Sequence, residues 1–340
     1  MKNVGLKLSR SQILNFRRRV NWLEERLPCG AKSLRRAAWA GLQDSMPRAA
    51  LLSIHARVKG ADPAIWEHPS LVQIWGPRFS SYVVAAVDLP VFSLGRLPED
   101  ARRRARAQDA AKRLHAFLKG RRMPFESAGR SLGVDPNSFR YAAPTGTVLM
   151  RWDGARQPTV WTVPAPETDP QQSRQELARR YLHVFSPGTA AGFAKWAGIS
   201  DAEARRAFVA MSGMMMPVRT PIGDRFILAE DEGTFRARLK PGATARFLPS
   251  GDSYYLLWGA DRELLVPEAK RRAALWTTRV WPGALLVGGE IAGVWRRAAA
   301  DVSIELWRLL SSAERKAVEA EAASLPLPGL NGPITLSFQG

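Results

Sequence analysis

The stretch Gly41-Leu42-Gln43-Asp44-Ser45-Met46-Pro47 lies between two segments with helical spacing, 31–40 and 47–58. It sets an amide, a carboxylate and a hydroxyl in three consecutive positions. A connection between helices needs a glycine to stop the first and a polar residue to cap the second. Gly41 meets the first need, and Met46-Pro47 suits a helix opening, where proline costs nothing. The expectation is a helix–turn–helix corner carrying more polar chemistry than a corner requires. On the plainer reading, Ser45 caps the following helix and Asp44 favours its N-terminus through the helix dipole.

Working outward, Ser9-Arg10-Ser11 caps a helix that turns Ile13, Leu14, Phe16, Val20 and Leu23 inward, with Arg17, Arg18 and Arg19 expected outside. Segment 31–40 places Leu34, Ala37 and Ala38 on one side and Arg35-Arg36 on the other. After the corner, residues 71–75 and 81–84 read as two strands around Gly76-Pro77-Arg78.

The order then repeats. Residues 100–118 form a long basic helix, 124–132 a shorter one ended by Gly133, and Asp135-Pro136 opens a third. Residues 147–152 and 159–163 bracket Asp153-Gly154-Ala155-Arg156, a hairpin signal. After a proline-rich linker, 171–185 and 189–196 are helical. Ser200-Asp201-Ala202-Glu203 is a capping box, and 214–219 with 225–229 form another hairpin. Helix, helix, turn, helix, hairpin therefore occurs three times, with corresponding corners at Gly41-Leu42, Gly133-Val134 and Gly198-Ile199. The expected fold class is α+β: three tandem winged-helix units at 1–98, 99–168 and 169–240, then a β-rich domain at 241–340. In that last part 246–248, 254–258, 285–287, 291–295 and 334–336 read as strands and 306–323 includes a helix.

Lys and Arg outnumber Asp and Glu by 50 to 31 in 340 residues, a net charge of +19. Such a chain attracts polyanions, and nucleic acid is the commonest available to it. Double-stranded DNA is the expected partner, and a monomer the expected state. Cys29 is the lone cysteine and the four histidines are scattered, so no metal and no cofactor are expected. No apolar run suits a signal peptide or a membrane span, so the expected location is cytoplasmic, without a membrane partner.

Winged helices place the third helix in the major groove and the hairpin beside it. On that geometry Arg48, Arg57, Asn137, Arg140, Arg205 and Arg206 face DNA, and Arg78, Arg156 and Arg225 stand at hairpin tips. Arg102 and Arg103 on the long helix add phosphate contacts. Among the twelve tryptophans, Trp22, Trp39, Trp196 and Trp307 read as packing, as do Met214-Met215-Met216. Trp75 and Trp152 fall on the hairpins.

With these residues in place, the chain resembles the winged-helix DNA glycosylases of the AlkZ/YcaQ type. The resemblance is carried by 41–47, by 71–90 with Trp75 and Arg78, by Ala178-Arg179-Arg180-Tyr181-Leu182 and by Phe193-Ala194-Lys195-Trp196-Ala197-Gly198. It continues in Leu248-Pro249 with Asp252, Asp261-Arg262 and Gly293-Val294-Trp295-Arg296. It implies a basic concave channel and removal of bulky N-alkylated purines or unhooking of interstrand cross-links, in DNA repair or self-resistance to a genotoxin. It also implies catalytic residues at Gln43, Asp44 and Ser45, and DNA contacts at Ser80, Tyr82 and Arg296 beside the arginines already named. The family motif is Gln, any residue, then Gln or Asp. Gln43 matches, Ser45 departs from the last position, and Asp44 brings a carboxylate to the middle. In the first hairpin Arg78-Phe79-Ser80-Ser81-Tyr82 keeps the family's arginine and a hydroxyl but not its histidine. The alternative is a DNA-binding or regulatory member without catalysis.

Overall fold

The computed structural model describes residues 6–154, 156–237, 242–329 and 332–339. Its first part holds β1 (Leu6–Lys7), α1 (Arg10–Val20), α2 (Ala31–Ala37), β2 (Leu42–Gln43) and α3 (Ala49–Arg57), then β3 (Leu71–Trp75), β4 (Ser81–Ala85) and α4 (Leu89–Ser93). Next come α5 (Ala101–Leu118), β5 (Met123–Pro124), α6 (Phe125–Leu132), α7 (Ser138–Ala142), β6 (Val148–Arg151) and β7 (Thr159–Thr162). They are followed by α8 (Pro170–Phe185), α9 (Ala190–Ala197), α10 (Asp201–Ala210), β8 (Met215–Thr220), β9 (Gly223–Leu228) and α11 (Glu232–Arg236). The last part holds β10 (Ala245–Leu248), α12 (Asp261–Leu265), α13 (Ala269–Leu275), β11 (Gly283–Val287), β12 (Glu290–Ala298), β13 (Asp301–Leu306), α14 (Ser312–Ala323) and β14 (Thr335–Gln339).

The architecture is a mixed α+β one. The three hairpins β3–β4, β6–β7 and β8–β9 are antiparallel, and each gains a short outer strand. Strand β2 joins β4, β5 joins β7, and β1 crosses from the N-terminus to lie parallel to β8. The fourth sheet runs in the order β10-β11-β12-β13-β14.

Local chemistry explains six of the helix starts. Ser9, Ser200 and Ser311 each make a capping box, while Asp100, Asp169 and Thr189 cap singly. Each such cap is worth about 1 kcal/mol.

Several expectations are corrected. Helix α2 stops at Ala37, before Gly41, and α3 begins at Ala49 rather than at Met46-Pro47. The Asp135-Pro136 corner leads to only five helical residues in α7. Residues 254–258 form no strand; Tyr254, Tyr255, Leu256 and Leu257 are buried in a turn-rich segment, where they share the main apolar cluster with Leu248, Ala284 and Val294, and the Tyr255 hydroxyl donates to the Pro249 and Pro282 carbonyls. Strand β13 was missed, although Val302 and Ile304 alternate with polar residues as a strand requires. Met214 is exposed, and Met215 and Met216 are only half-buried. Trp75, on the first hairpin as expected, is a core residue packed with Leu114 and Phe125.

The largest apolar cluster joins Leu14, Tyr82, Leu149, Trp196, Leu248 and Val294, so side chains from all four parts share one core. Arginines run through it. Arg17 and Arg18, expected outside, are buried, and Arg17 donates to the carbonyls of Phe185 and Ser186. Arg57, expected at DNA, is 1% exposed and forms a two-armed pair with Asp252 at 2.7 and 2.8 Å. The guanidinium's planar fork, matched to a carboxylate, makes such burial tolerable.

Candidate active site

The corner at 41–47 is shaped by pairing, not by a helix cap. Leu42 and Gln43 add a short strand to β4, opposite Val83 and Tyr82, and the amide of Asp44 continues it by donating to the Ser81 carbonyl at 2.8 Å. Alternation along an extended chain sends neighbouring side chains to opposite faces. Gln43 and Ser45 therefore share one face, and Asp44 takes the other.

On the outer face, Gln43 Nε2 donates to Ser45 Oγ at 2.7 Å. Gln43 Oε1 accepts from Arg78 Nη2 at 2.6 Å and from the Tyr82 hydroxyl at 3.4 Å. Arg78 is held in turn over the Trp258 ring, 4.9 Å from its centroid. Its backbone has φ +55°, and the backbone of Gly198 lies so close that a Cβ there would stand 2.9 Å from Arg78 Cα. Behind Gln43 lies Gly251, whose added Cβ would meet the Gln43 amide at 3.1 Å. Gly251 itself has φ +80°, and the next residue, Asp252, ties this loop to α3 through Arg57 and through Ser53, whose hydroxyl donates to Asp252 at 2.6 Å.

On the inner face, Asp44 is 1% exposed. One carboxylate oxygen accepts from the Ala50 amide at 3.0 Å, and the other from Gln73 Nε2 at 2.7 Å. Asp44 thus serves the first turn of α3, a task the sequence assigns to Ser45. Burial pushes its carboxyl up to about 7, against the pull of the Ala50 amide, the Arg48 charge and Gln73. Gln73 also accepts from the Trp152 amide at 2.5 Å, which connects the second hairpin to Asp44.

The remaining expected contacts scatter. Tyr82 is buried beneath Gln43, so it supports the amide instead of facing solvent. Ser80 is half-buried beside Arg78. Arg48 is half-buried with φ +64°, its guanidinium over Trp66 at 4.8 Å; Arg151 lies over the same ring at 4.8 Å. Together with Arg122, Arg130 and Arg156 these line a cleft of about 960 Å³ between the first two hairpins. Arg102 and Arg103 are exposed on α5, Arg205 and Arg206 on α10, and Arg206 pairs with Glu99. Arg140 is half-buried on α7, and Arg296 is exposed on β12, away from the corner in sequence and sheet. Asn137 is held by Asp135, and Arg225 bonds the neighbouring Asp224 carbonyl. The structure therefore brings Gln43, Ser45, Arg78 and Tyr82 together, gathers Arg48 with Arg156 in the cleft between the first two hairpins, and gathers Arg102 and Arg103 with Arg206 in another. Reading the sequence alone missed Gly251 and Gln73. Only their spatial neighbours mark them.

Among the described residues no three His, Cys, Asp or Glu side chains are placed to hold a metal ion, and no helix is long and apolar enough to cross a membrane.

A family model described as "DNA glycosylase AlkZ-like" matches residues 36–326. The solved structure of Streptomyces sahachiroi DNA glycosylase AlkZ superposes with a TM-score of 0.79 at 18% sequence identity, covering 98% of this chain and 100% of that one. No curated protein matches by sequence.

Proposed function

The chain belongs to the AlkZ-like family of DNA glycosylases, which hydrolyse N-glycosidic bonds in DNA, and we propose that it releases bulky N-alkylated purines or unhooks cross-linked ones, with Gln43 and Ser45 directing the water. The observation that carries this reading is the Gln43–Ser45 pair at the corner, held from one side by Arg78 and from behind by Gly251. An N7-alkylated guanine is already cationic and departs without a general acid. What remains is to place water on the anomeric carbon and to stabilise an oxocarbenium-like transition state. Ser45 Oγ accepts a hydrogen bond from Gln43 Nε2 and keeps a lone pair to orient water. The Gln43 amide oxygen, fixed by Arg78, presents negative density to the developing cation. Asp44 acts from below as a positioning residue, since both its oxygens hold the turn and α3.

On this proposal the chain comprises three winged-helix units, at 1–98, 99–168 and 169–240, with α7 and α10 as groove-facing helices, whereas α3 is buried along its whole length and meets DNA only through the corner before it, and the 241–340 region as a domain closing over Gln43. Arg48, Arg78, Ser80, Arg102, Arg103, Arg140, Arg156, Arg205, Arg206 and Arg296 form the DNA-contact set, their charge giving the affinity its salt dependence.

The test is release of N7-alkylguanine from alkylated or cross-linked duplex. Gln43→Ala is expected to slow release by roughly 100-fold or more while duplex binding persists, as loss of one preorganised polar group does elsewhere. Absence of release from a panel of bulky and cross-linked substrates would overturn the substrate assignment.

A further inference from the structure

We propose that the cleft between the tip of the first hairpin, α5, α7 and the α9–α10 corner is a second nucleic-acid site that holds an unpaired nucleotide of a DNA strand. The hairpin tip has two successive residues with positive φ, Arg78 at 55° and Phe79 at 58°. They diverge: Arg78 reaches Gln43, and Phe79 packs edge-on against Tyr141, with ring centroids 5.0 Å apart. Both rings line a cleft of about 1170 Å³. That is ample for a nucleotide and its neighbours, since ligand sites span roughly 300–1,000 Å³.

The cleft is built for an anion beside an aromatic face. Arg96 lines it, is 3% exposed, and lies with its guanidinium 4.8 Å from the Phe79 ring centroid. Its donors reach two carbonyls, Ala197 at 2.9 Å and Trp75 at 3.0 Å, while its Nη2 has no partner. A buried cation answered only by carbonyls is costly, and an incoming phosphate relieves that cost. Arg102, Arg103 and Arg106 line the same cleft from α5, are exposed, and have no carboxylate partner among the described residues. The nearby carboxylates are engaged: Glu99 with Arg174 and Arg206, Glu203 in the Ser200 capping box, and Asp100 on the Arg103 amide. Tyr141 is 61% exposed, an unusual place for a large ring. Guanidinium groups around an open aromatic face suit a base over its phosphates. A base-paired duplex keeps its bases stacked on one another, so the occupant is an unpaired segment. The site does not depend on the Gln43 chemistry.

Anisotropy titrations of the full chain with a labelled oligothymidylate and with a fully paired duplex test this. Tyr141→Ala is expected to weaken oligothymidylate binding roughly 10-fold, as loss of one stacked base does, and duplex binding by less than about 3-fold. Tyr141→Phe should bind as the unaltered protein does. The combined Arg102→Gln, Arg103→Gln, Arg106→Gln variant should reduce the oligothymidylate salt slope by about 2. Unchanged oligothymidylate affinity in Tyr141→Ala, or equal loss for both ligands, overturns the proposal. Gln43→Ala should leave oligothymidylate binding intact, so failure of base release and failure of this site are read separately.

Discussion

At the residue scale, three consecutive side chains divide their labour by strand alternation. Gln43 and Ser45 face outward as a hydrogen-bonded pair, and Asp44 faces inward to the start of α3. Burial raises the Asp44 carboxyl from 3.8 to about 7. The folded protein then holds a proton that the unfolded chain has released. The stabilisation from this group is complete below about pH 4 and declines as pH rises to about 7. Asp44→Asn abolishes that titration. The urea midpoint of the unaltered protein, measured against the variant's, is therefore expected to fall between about pH 4 and about pH 7. A difference that stays flat or rises would show that the carboxyl ionises freely in the fold. The sequence makes the polar cluster visible but not its directions, because a turn and a short strand read alike over three residues.

At the element scale, the corner is held by chain segments far away in sequence. The loop 249–253 is anchored to α3 by the buried Arg57–Asp252 pair, and this places Gly251 against Gln43. Breaking such a pair costs about 3–5 kcal/mol, so the loop is fixed relative to the helix. Gly251→Ala is expected to cost only about 1 kcal/mol in stability, from the left-handed backbone. It should slow base release roughly 10-fold or more, because the methyl group displaces the amide. Unfolding curves with single-turnover release check both halves, and full activity in Gly251→Ala would remove the loop from the site. The hairpins 71–75/81–85, 148–151/159–162 and 215–220/223–228 were legible from alternation and turn residues. Strand β2 was not, since two residues carry no period.

At the scale of the whole molecule, one apolar cluster reaches from Leu14 to Val294 and crosses every boundary suggested by the repeating pattern. Strand β1 also crosses, pairing with β8 over 200 positions later. Units that share a core and a sheet lose stability together. Calorimetry is expected to show a single unfolding transition, and two resolved transitions would mean that the parts unfold separately. The same core absorbs charge: Arg17, Arg18, Arg57, Arg96 and Arg180 are all buried. The +19 balance therefore overstates how many arginines are available to phosphates.

The sequence by itself determined the capped starts of α1, α5, α9 and α10, the three hairpins, the polar corner at 41–47 and the attraction to nucleic acid. Those follow from caps, alternation, turn residues and net charge, which act over a few neighbours or over the whole composition. The tertiary structure decided which side chains meet: Gln43 with Arg78, Tyr82 and Gly251, Asp44 with Ala50 and Gln73, and Arg57 with Asp252. It also decided which arginines point inward. A guanidinium on a helix has the same local signature whether it meets water or a carboxylate nearly 200 residues away, and only packing distinguishes the two.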